Sequence, residues 1–269
     1  MPTEDFIYLG DTARLPYGTK SADTVARYSL QCAGALVKRG IGCLVVACNT
    51  ASASALDILR SRYPGMPIFG VIEPSAAAAV AASRSQHIAV IGTEGTVDGG
   101  AYQAAIRRLN PATRVVAQAC SLFVAMAEEG WTEGPILAAV AHRYLDPIFG
   151  DPIFGAPMSA APVVGEPIVC EPVFFAPHAC PDTLVLGCTH FPALTAAIRA
   201  VLPGHVHIID SAATTAAAVR RQWPSRDVRE QRRGSVRWLA TDGASRFARV
   251  GHIFFGQPLL AGEIEVVDL

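Results

Sequence analysis

Along this chain, short apolar runs alternate with longer stretches whose apolar residues recur at helical spacing. Segments 6–9, 43–47, 68–72, 87–91, 114–117, 183–186, 207–209 and 236–240 are short and apolar, many rich in β-branched residues, and read as strands. Segments 23–38, 52–62, 74–83, 101–109, 122–129, 135–145, 192–201, 214–223 and 245–254 read as helices. Strands that are apolar on both faces need cover on both faces. The alternation therefore predicts parallel sheets flanked by helices, an α/β fold. Such sheets bind ligands beyond the carboxyl ends of their strands, which directs attention to the residues just after each apolar run.

One segment breaks the rhythm. Positions 147–181 are rich in proline and lack a helical period. They continue a tandem duplication, Asp146-Pro147-Ile148-Phe149-Gly150 followed by Asp151-Pro152-Ile153-Phe154-Gly155. This pattern predicts an inserted surface loop. Charge then removes some function classes: at a formal net charge of −1, the chain lacks the basic excess of a protein that grips nucleic-acid phosphates or acidic lipid. No apolar run is long enough to cross a bilayer, and Met1-Pro2-Thr3-Glu4-Asp5 has neither the basic nor the apolar region of a signal peptide. A cytoplasmic location with reduced thiols is expected. The seven cysteines form neither a regular framework nor a CxxC pair, which argues against a disulfide scaffold, a zinc ribbon or a thioredoxin-like site.

Two cysteines stand apart. Leu44-Val45-Val46-Ala47-Cys48-Asn49-Thr50 and Leu184-Val185-Leu186-Gly187-Cys188-Thr189-His190 are both apolar strands ending in a cysteine, followed by polar residues and then a helix. Each sulfur is expected at a strand's carboxyl end and a helix's amino end, where partial positive charge favours thiolate. A lone cysteine is most often a small core residue, the reading given to Cys32, Cys43, Cys120, Cys170 and Cys180. The matched placement of Cys48 and Cys188 separates them from the rest. Two thiols on opposite sides of a cleft suit racemisation, in which one sulfur removes an α-proton and the other returns one to the opposite face. Thiols titrate near enough to neutral for one to be thiolate while the other is thiol. The carbanion-like state between the two steps needs preorganised donors.

Further motifs accompany them: Gly10-Asp11-Thr12-Ala13-Arg14-Leu15-Pro16-Tyr17-Gly18, Ile91-Gly92-Thr93 with Thr96, Glu128-Glu129-Gly130-Trp131, and Asp242 through Phe247-Ala248. With Ala47-Cys48-Asn49-Thr50-Ala51 and Leu186-Gly187-Cys188-Thr189-His190-Phe191-Pro192, in this order, the chain resembles the aspartate/glutamate racemase family. The resemblance covers nearly everything outside the proline-rich segment. It implies two parallel-sheet α/β domains, 1–70 with 206–269 and 71–205, with the active site in the cleft between them and one catalytic cysteine from each. It implies racemisation of glutamate with no cofactor, neither pyridoxal phosphate nor metal, to supply D-glutamate for bacterial cell-wall peptidoglycan. A homodimer is expected by the same analogy. Cys48 would deprotonate D-glutamate and Cys188 the L-enantiomer, with His190 assisting Cys188. Tyr17, Gly18, Asn49, Thr50 and Thr189 match positions that hold the substrate's polar groups, and Thr93 and Thr96 are further candidates. Glu128 matches an acidic position near the second cysteine, and Asp11 one near the first. Taken alone, Pro16-Tyr17-Gly18 reads as a turn, Asn49-Thr50 as a helix cap, His190 as a surface histidine and Glu128-Glu129 as a solvated helix end.

The sequence also departs from the family's pattern. Family members open with a strand ending in an Asp-Ser-Gly loop and a helix, ahead of the segment matching 6–9. Here these are absent, so the true start is expected upstream of Met1, and the neighbours of that strand are expected to be exposed. Val97-Asp98-Gly99-Gly100 stands where a serine is usual, and Phe191 where tyrosine is common. Two alternatives stay open on the residues: a racemase of aspartate or another small acid, and a non-catalytic binding or regulatory protein on the same scaffold. A thiol redox protein is disfavoured, because Cys48 and Cys188 are far apart with no local resolving partner.

Overall fold

A computed structural model of the chain describes residues 1, 3–150, 180–223 and 233–269. The chain begins with β1 (Phe6–Gly10), α1 (Ala22–Val37), β2 (Leu44–Val46), α2 (Asn49–Arg62) and β3 (Ile68–Gly70). Next come α3 (Ile72–Ala82), β4 (His87–Gly92), α4 (Glu94–Asp98), α5 (Ala101–Leu109), β5 (Arg114–Ala119), α6 (Ser121–Glu128) and α7 (Pro135–Phe149). After position 180 follow β6 (Thr183–Gly187), a 3-10 turn (Phe191–Leu194), α8 (Thr195–Val201), β7 (His207–Asp210) and α9 (Ser211–Gln222). The chain closes with β8 (Val236–Ala240), α10 (Ala244–Phe255) and β9 (Ile264–Val266).

Among the described residues every strand pairing is parallel, in sheets of order β1-β8-β9, β2-β3 and β5-β4-β6-β7. The central strands β4 and β6 are buried at every position. Their side chains alternate between two apolar layers. Ala89, Ile91, Leu184 and Leu186 face Phe123, Leu137, Leu145 and Phe191, while Ile88, Val90 and Val185 face Ile72, Ala76, Tyr102 and Ile106. Each large aliphatic side chain fully buried there contributes about 1.5–3 kcal/mol. This two-sided core explains why both strands read as continuous apolar runs. β7 continues the same sheet, although it lies beyond position 206, the expected edge of that half.

The smaller sheets share a separate core, in which Ala33 and Leu36 of α1 and Leu56 and Leu59 of α2 pack with Leu44, Ile68 and Leu239. β1 and β2 do not pair with each other among the described residues, and Phe6 and Val45 are exposed at 47% and 41%.

Several boundaries differ from expectation. α2 starts at Asn49, three residues before the expected 52, because Cys48 occupies its N-cap. The helix expected over 192–201 is a 3-10 turn followed by α8. The five-residue α4 and the three-residue β9 were not expected. α7 runs through Pro147 to Phe149, so the first residues of the proline-rich segment are helical. Leu145 and Phe149, four apart on one face, are buried in the main core, and that packing outweighs the lost proline N–H. The rest of that segment up to position 179, with Cys170 and the second pentapeptide, lies outside the described residues. Cys180 is exposed, not a core residue.

Candidate active site

β2 delivers Cys48, which caps α2 in extended backbone conformation (φ −76°, ψ 127°). Burial pushes its thiol up, against the opposing pull of the nearby Ala51 and Thr50 amides and the Thr50 hydroxyl. The helix-end donors expected to favour thiolate at Cys48 do act in that direction, but desolvation of the charged form exceeds them. A negative charge on Cys188 would raise the Cys48 thiol further.

Cys188 follows β6 directly and is buried. The chain enters a 3-10 turn there, so the expected helix amino end does not form at this sulfur. Its partner is instead an imidazole: His190 Nδ1 lies 3.6 Å from Cys188 Sγ, and His190 Nε2 lies 3.2 Å from Glu128 Oε1. Arg246 of α10 donates to the other Glu128 oxygen at 2.5 Å. Burial opposes a charged His190, but the hydrogen bonds to Cys188 and Glu128 outweigh it and raise its pKa to about 9. Glu128 is held below the usual carboxylate range, first by the His190 hydrogen bond and then by Arg246, despite its own burial. Glu128 is thus a half-buried member of the site, not a solvated helix end, and His190 is no ordinary surface histidine. The edge of one ring meets the other where His190 packs on Phe254, centroids 5.5 Å apart. Thr189 is half-buried between Cys188 and His190.

On the first side, Asn49 and Thr50 are buried. The Thr50 hydroxyl lies 2.9 Å from that of Thr93 and 3.2 Å from that of Thr96, and those two lie 3.1 Å apart. Three hydroxyls in a ring give a compact polar floor beside Cys48 that can re-aim a donor at a ligand. Gly18 closes over it: its carbonyl accepts from the Gly95 amide at 2.8 Å, and a Cβ there would sit 2.5 Å from Thr93 Cβ. The turn reading of Pro16-Tyr17-Gly18 misses this contact.

Tyr17 donates to Asp11, which also receives Arg14 at 2.7 Å and the Thr241 hydroxyl at 3.0 Å. Burial, then that hydrogen bond, raises the Tyr17 phenol, so it stays a donor. The Arg14 guanidinium lies 4.2 Å from the Tyr28 ring centroid and reaches Cys32 Sγ at 3.6 Å. Cys32 is therefore half-buried in a polar cluster, not a core hydrophobe; burial, with Asp11 nearby, pushes its thiol up to about 11. Asp11, with its oxygens engaged by three side chains, braces the Tyr17 loop.

Two strand-end thiols, one paired with a His190–Glu128 couple, therefore coexist with a hydroxyl floor and a buried amide. A family model described as Asp/Glu/hydantoin racemase matches residues 2–144 of this chain. The chain belongs to the Asp/Glu/hydantoin racemase family. A glutamate racemase from Geobacter metallireducens is 43% identical over 273 residues, covering 100% of this chain and 89% of the relative. Among solved structures, glutamate racemase isoform RacE1 from Bacillus anthracis superposes with a TM-score of 0.81 at 28% identity, covering 100% of this chain and 89% of that one. The Francisella tularensis glutamate racemase, solved in complex with D-glutamate, gives a TM-score of 0.77 at 28% identity, covering 99% and 89%. Sequence reasoning assigned no role to three members of this racemase's site: Tyr102, which hydrogen-bonds Asn49 from 53 positions away, Arg246, which lies within the Asp242-to-Ala248 motif and reaches Glu128 across 118, and Thr241 on Asp11. Each looks like an ordinary core or surface residue until the fold brings it to its partner.

Proposed function

We propose that this protein interconverts L- and D-glutamate by moving the α-proton between two thiols, and so supplies D-glutamate for peptidoglycan. The observation that carries the reading is the pair of strand-end sulfurs, Cys48 capping α2 beside the Thr50 hydroxyl floor and Cys188 after β6 with His190 Nδ1 at 3.6 Å. From D-glutamate, the Cys48 thiolate takes the α-proton, and the Cys188 thiol delivers its own proton to the opposite face. Cys48 then carries the proton and Cys188 the negative charge. The reverse reaction starts from that state, so L-glutamate is deprotonated at Cys188. A protonated His190 is the counter-charge for the Cys188 anion, and Glu128 keeps that ring protonated and aimed. Negative charge developing on the substrate spreads into its α-carboxylate, where Asn49, Thr50, Thr96, Thr189 and the Tyr17-Gly18 loop are placed to bind the polar groups. One lobe built on the β5-β4-β6-β7 sheet and one built on the β1-β8-β9 and β2-β3 sheets act on either side of the substrate, in a cytoplasmic enzyme that works as a homodimer.

The test follows optical activity and α-hydrogen exchange in heavy water, with glutamate and aspartate from both enantiomers. Turnover of glutamate is expected, and Cys48→Ala and Cys188→Ala are each expected to abolish racemisation. Near-normal turnover in either variant would end the two-thiol assignment. Faster turnover of aspartate would move the substrate to the sibling acid. Absence of α-hydrogen exchange in the wild type would make the protein a binding module.

A further inference from the structure

The amide of Asn49 has two unequal ends. Its Oδ1 accepts a 2.7 Å hydrogen bond from the Tyr102 hydroxyl, whereas Nδ2 is buried with no partner among the described residues. A buried N–H without an acceptor is unfavourable, and such groups in native proteins mark places where something else completes the bond. This donor sits one residue from Cys48. Tyr102, fully buried on α5, reaches both sides of the site. Its hydroxyl holds Asn49, and its ring lies against Gly187, where a Cβ would come within 3.1 Å of Tyr102 Cε2. Gly187 immediately precedes Cys188, so one tyrosine touches the neighbour of each sulfur. Burial raises the Tyr102 phenol, which therefore stays protonated and remains a donor. A phenol that donates selects the amide orientation with Oδ1 towards itself and Nδ2 away from it.

We propose that Tyr102 is a positioning residue: by donating to Asn49 Oδ1 it fixes the amide so that Nδ2 is presented to a carboxylate oxygen of the substrate. This rests on the glutamate racemase reading above. Without the phenol hydroxyl the amide can flip, and its carbonyl would then face the carboxylate and repel it.

The experiment is a double-mutant cycle on the full chain: kcat and KM for glutamate, with melting temperature, in wild type, Tyr102→Phe, Asn49→Ala and the double variant. Tyr102→Phe is expected to raise KM about 3- to 10-fold, the factor of one neutral hydrogen bond, with a smaller change in kcat. On the Asn49→Ala background it should add less than about twofold, because the group it orients is gone. Fully multiplicative effects, or an unchanged KM in Tyr102→Phe, would overturn the proposal. Asn49→Asp is a second probe that leaves Tyr102 intact. It keeps an acceptor for Tyr102 but replaces the donor with a negative oxygen, and KM should rise above that of Asn49→Ala. A KM equal to or below that of Asn49→Ala would overturn the assignment. Inactive wild type would remove the racemase reading and this proposal with it. Active wild type with independent Tyr102 and Asn49 effects would overturn this proposal alone.

Discussion

His190 binds its proton more tightly in the folded protein than an ordinary imidazole, with its pKa raised from 6.5 to about 9. Burial works against the charge, and the Cys188 and Glu128 hydrogen bonds reverse that effect. A raised pKa means that the folded state holds the extra proton. The stability it contributes is therefore complete below pH 6.5 and lost as pH rises through about 9. Wild-type melting temperature should fall across that window in scanning calorimetry. In Glu128→Gln the fall should be smaller and should end at lower pH, because the carboxylate that favours the imidazolium is gone. A wild-type melting temperature that rises over the same window would mean that His190 is neutral when folded. The contrast with Cys48 is instructive. That sulfur has helix-end donors, yet burial still raises it, whereas His190 has a charged partner that burial strengthens.

Between residue and fold lies the strand–loop–helix element, and the loop before α1 is a tightly packed one. Gly18 carries a carbonyl bonded to the Gly95 amide and has no room for a side chain, since a Cβ would meet Thr93 Cβ at 2.5 Å and Cγ2 at 2.7 Å. Thr93 cannot move aside easily, because its hydroxyl is committed to Thr50 and Thr96. Gly18→Ala should therefore destabilise by about 1–3 kcal/mol, the range of an overpacked core. It should also raise KM for glutamate, because the hydroxyl floor is displaced. Urea denaturation with matched kinetics checks both, and an unchanged KM would detach this loop from the substrate. Elements of this kind were unequally legible. β4 and β6 could be read because both faces are covered, so after His87 every residue is apolar or small. α4 could not, because it has five residues around Gly95 and no room for a helical period. Nor could the end of α7, where the buried pair Leu145 and Phe149 overrides a proline that the chain pattern reads as a breaker.

At the scale of the whole molecule, the site is assembled by contacts between chain segments far apart in sequence. Thr50 meets Thr93 and Thr96, Asn49 meets Tyr102, and Arg246 meets Glu128. Both sulfurs were legible because strand-end placement is a local pattern, visible in Cys48-Asn49-Thr50 and Cys188-Thr189-His190. His190, Glu128, Thr50 and Thr96 were reached through the family motifs, but the roles of Arg246 and Tyr102 were not legible, because an arginine on an amphipathic helix or a tyrosine on an apolar face carries no mark of its distant partner. Arg246 is the sharpest case. It lies on the helix after β8, yet it holds the carboxylate that aims His190 at Cys188. Its side chain is 59% exposed against 15% for Glu128, so the bond is only half shielded from solvent. Removing it as Arg246→Met should cost less than about 1 kcal/mol in stability. Turnover should fall by no more than about fivefold, the rate equivalent of that energy. The loss should be largest at low salt and shrink as the Debye length falls from about 10 Å at 0.1 M to about 3 Å at 1 M. On a Glu128→Gln background the same substitution should change turnover little. Steady-state kinetics across ionic strength separates the two ways Arg246 can act. A loss that ignores salt, and persists without the Glu128 charge, would assign Arg246 to the packing of α10 instead of to the charge chain that ends at Cys188.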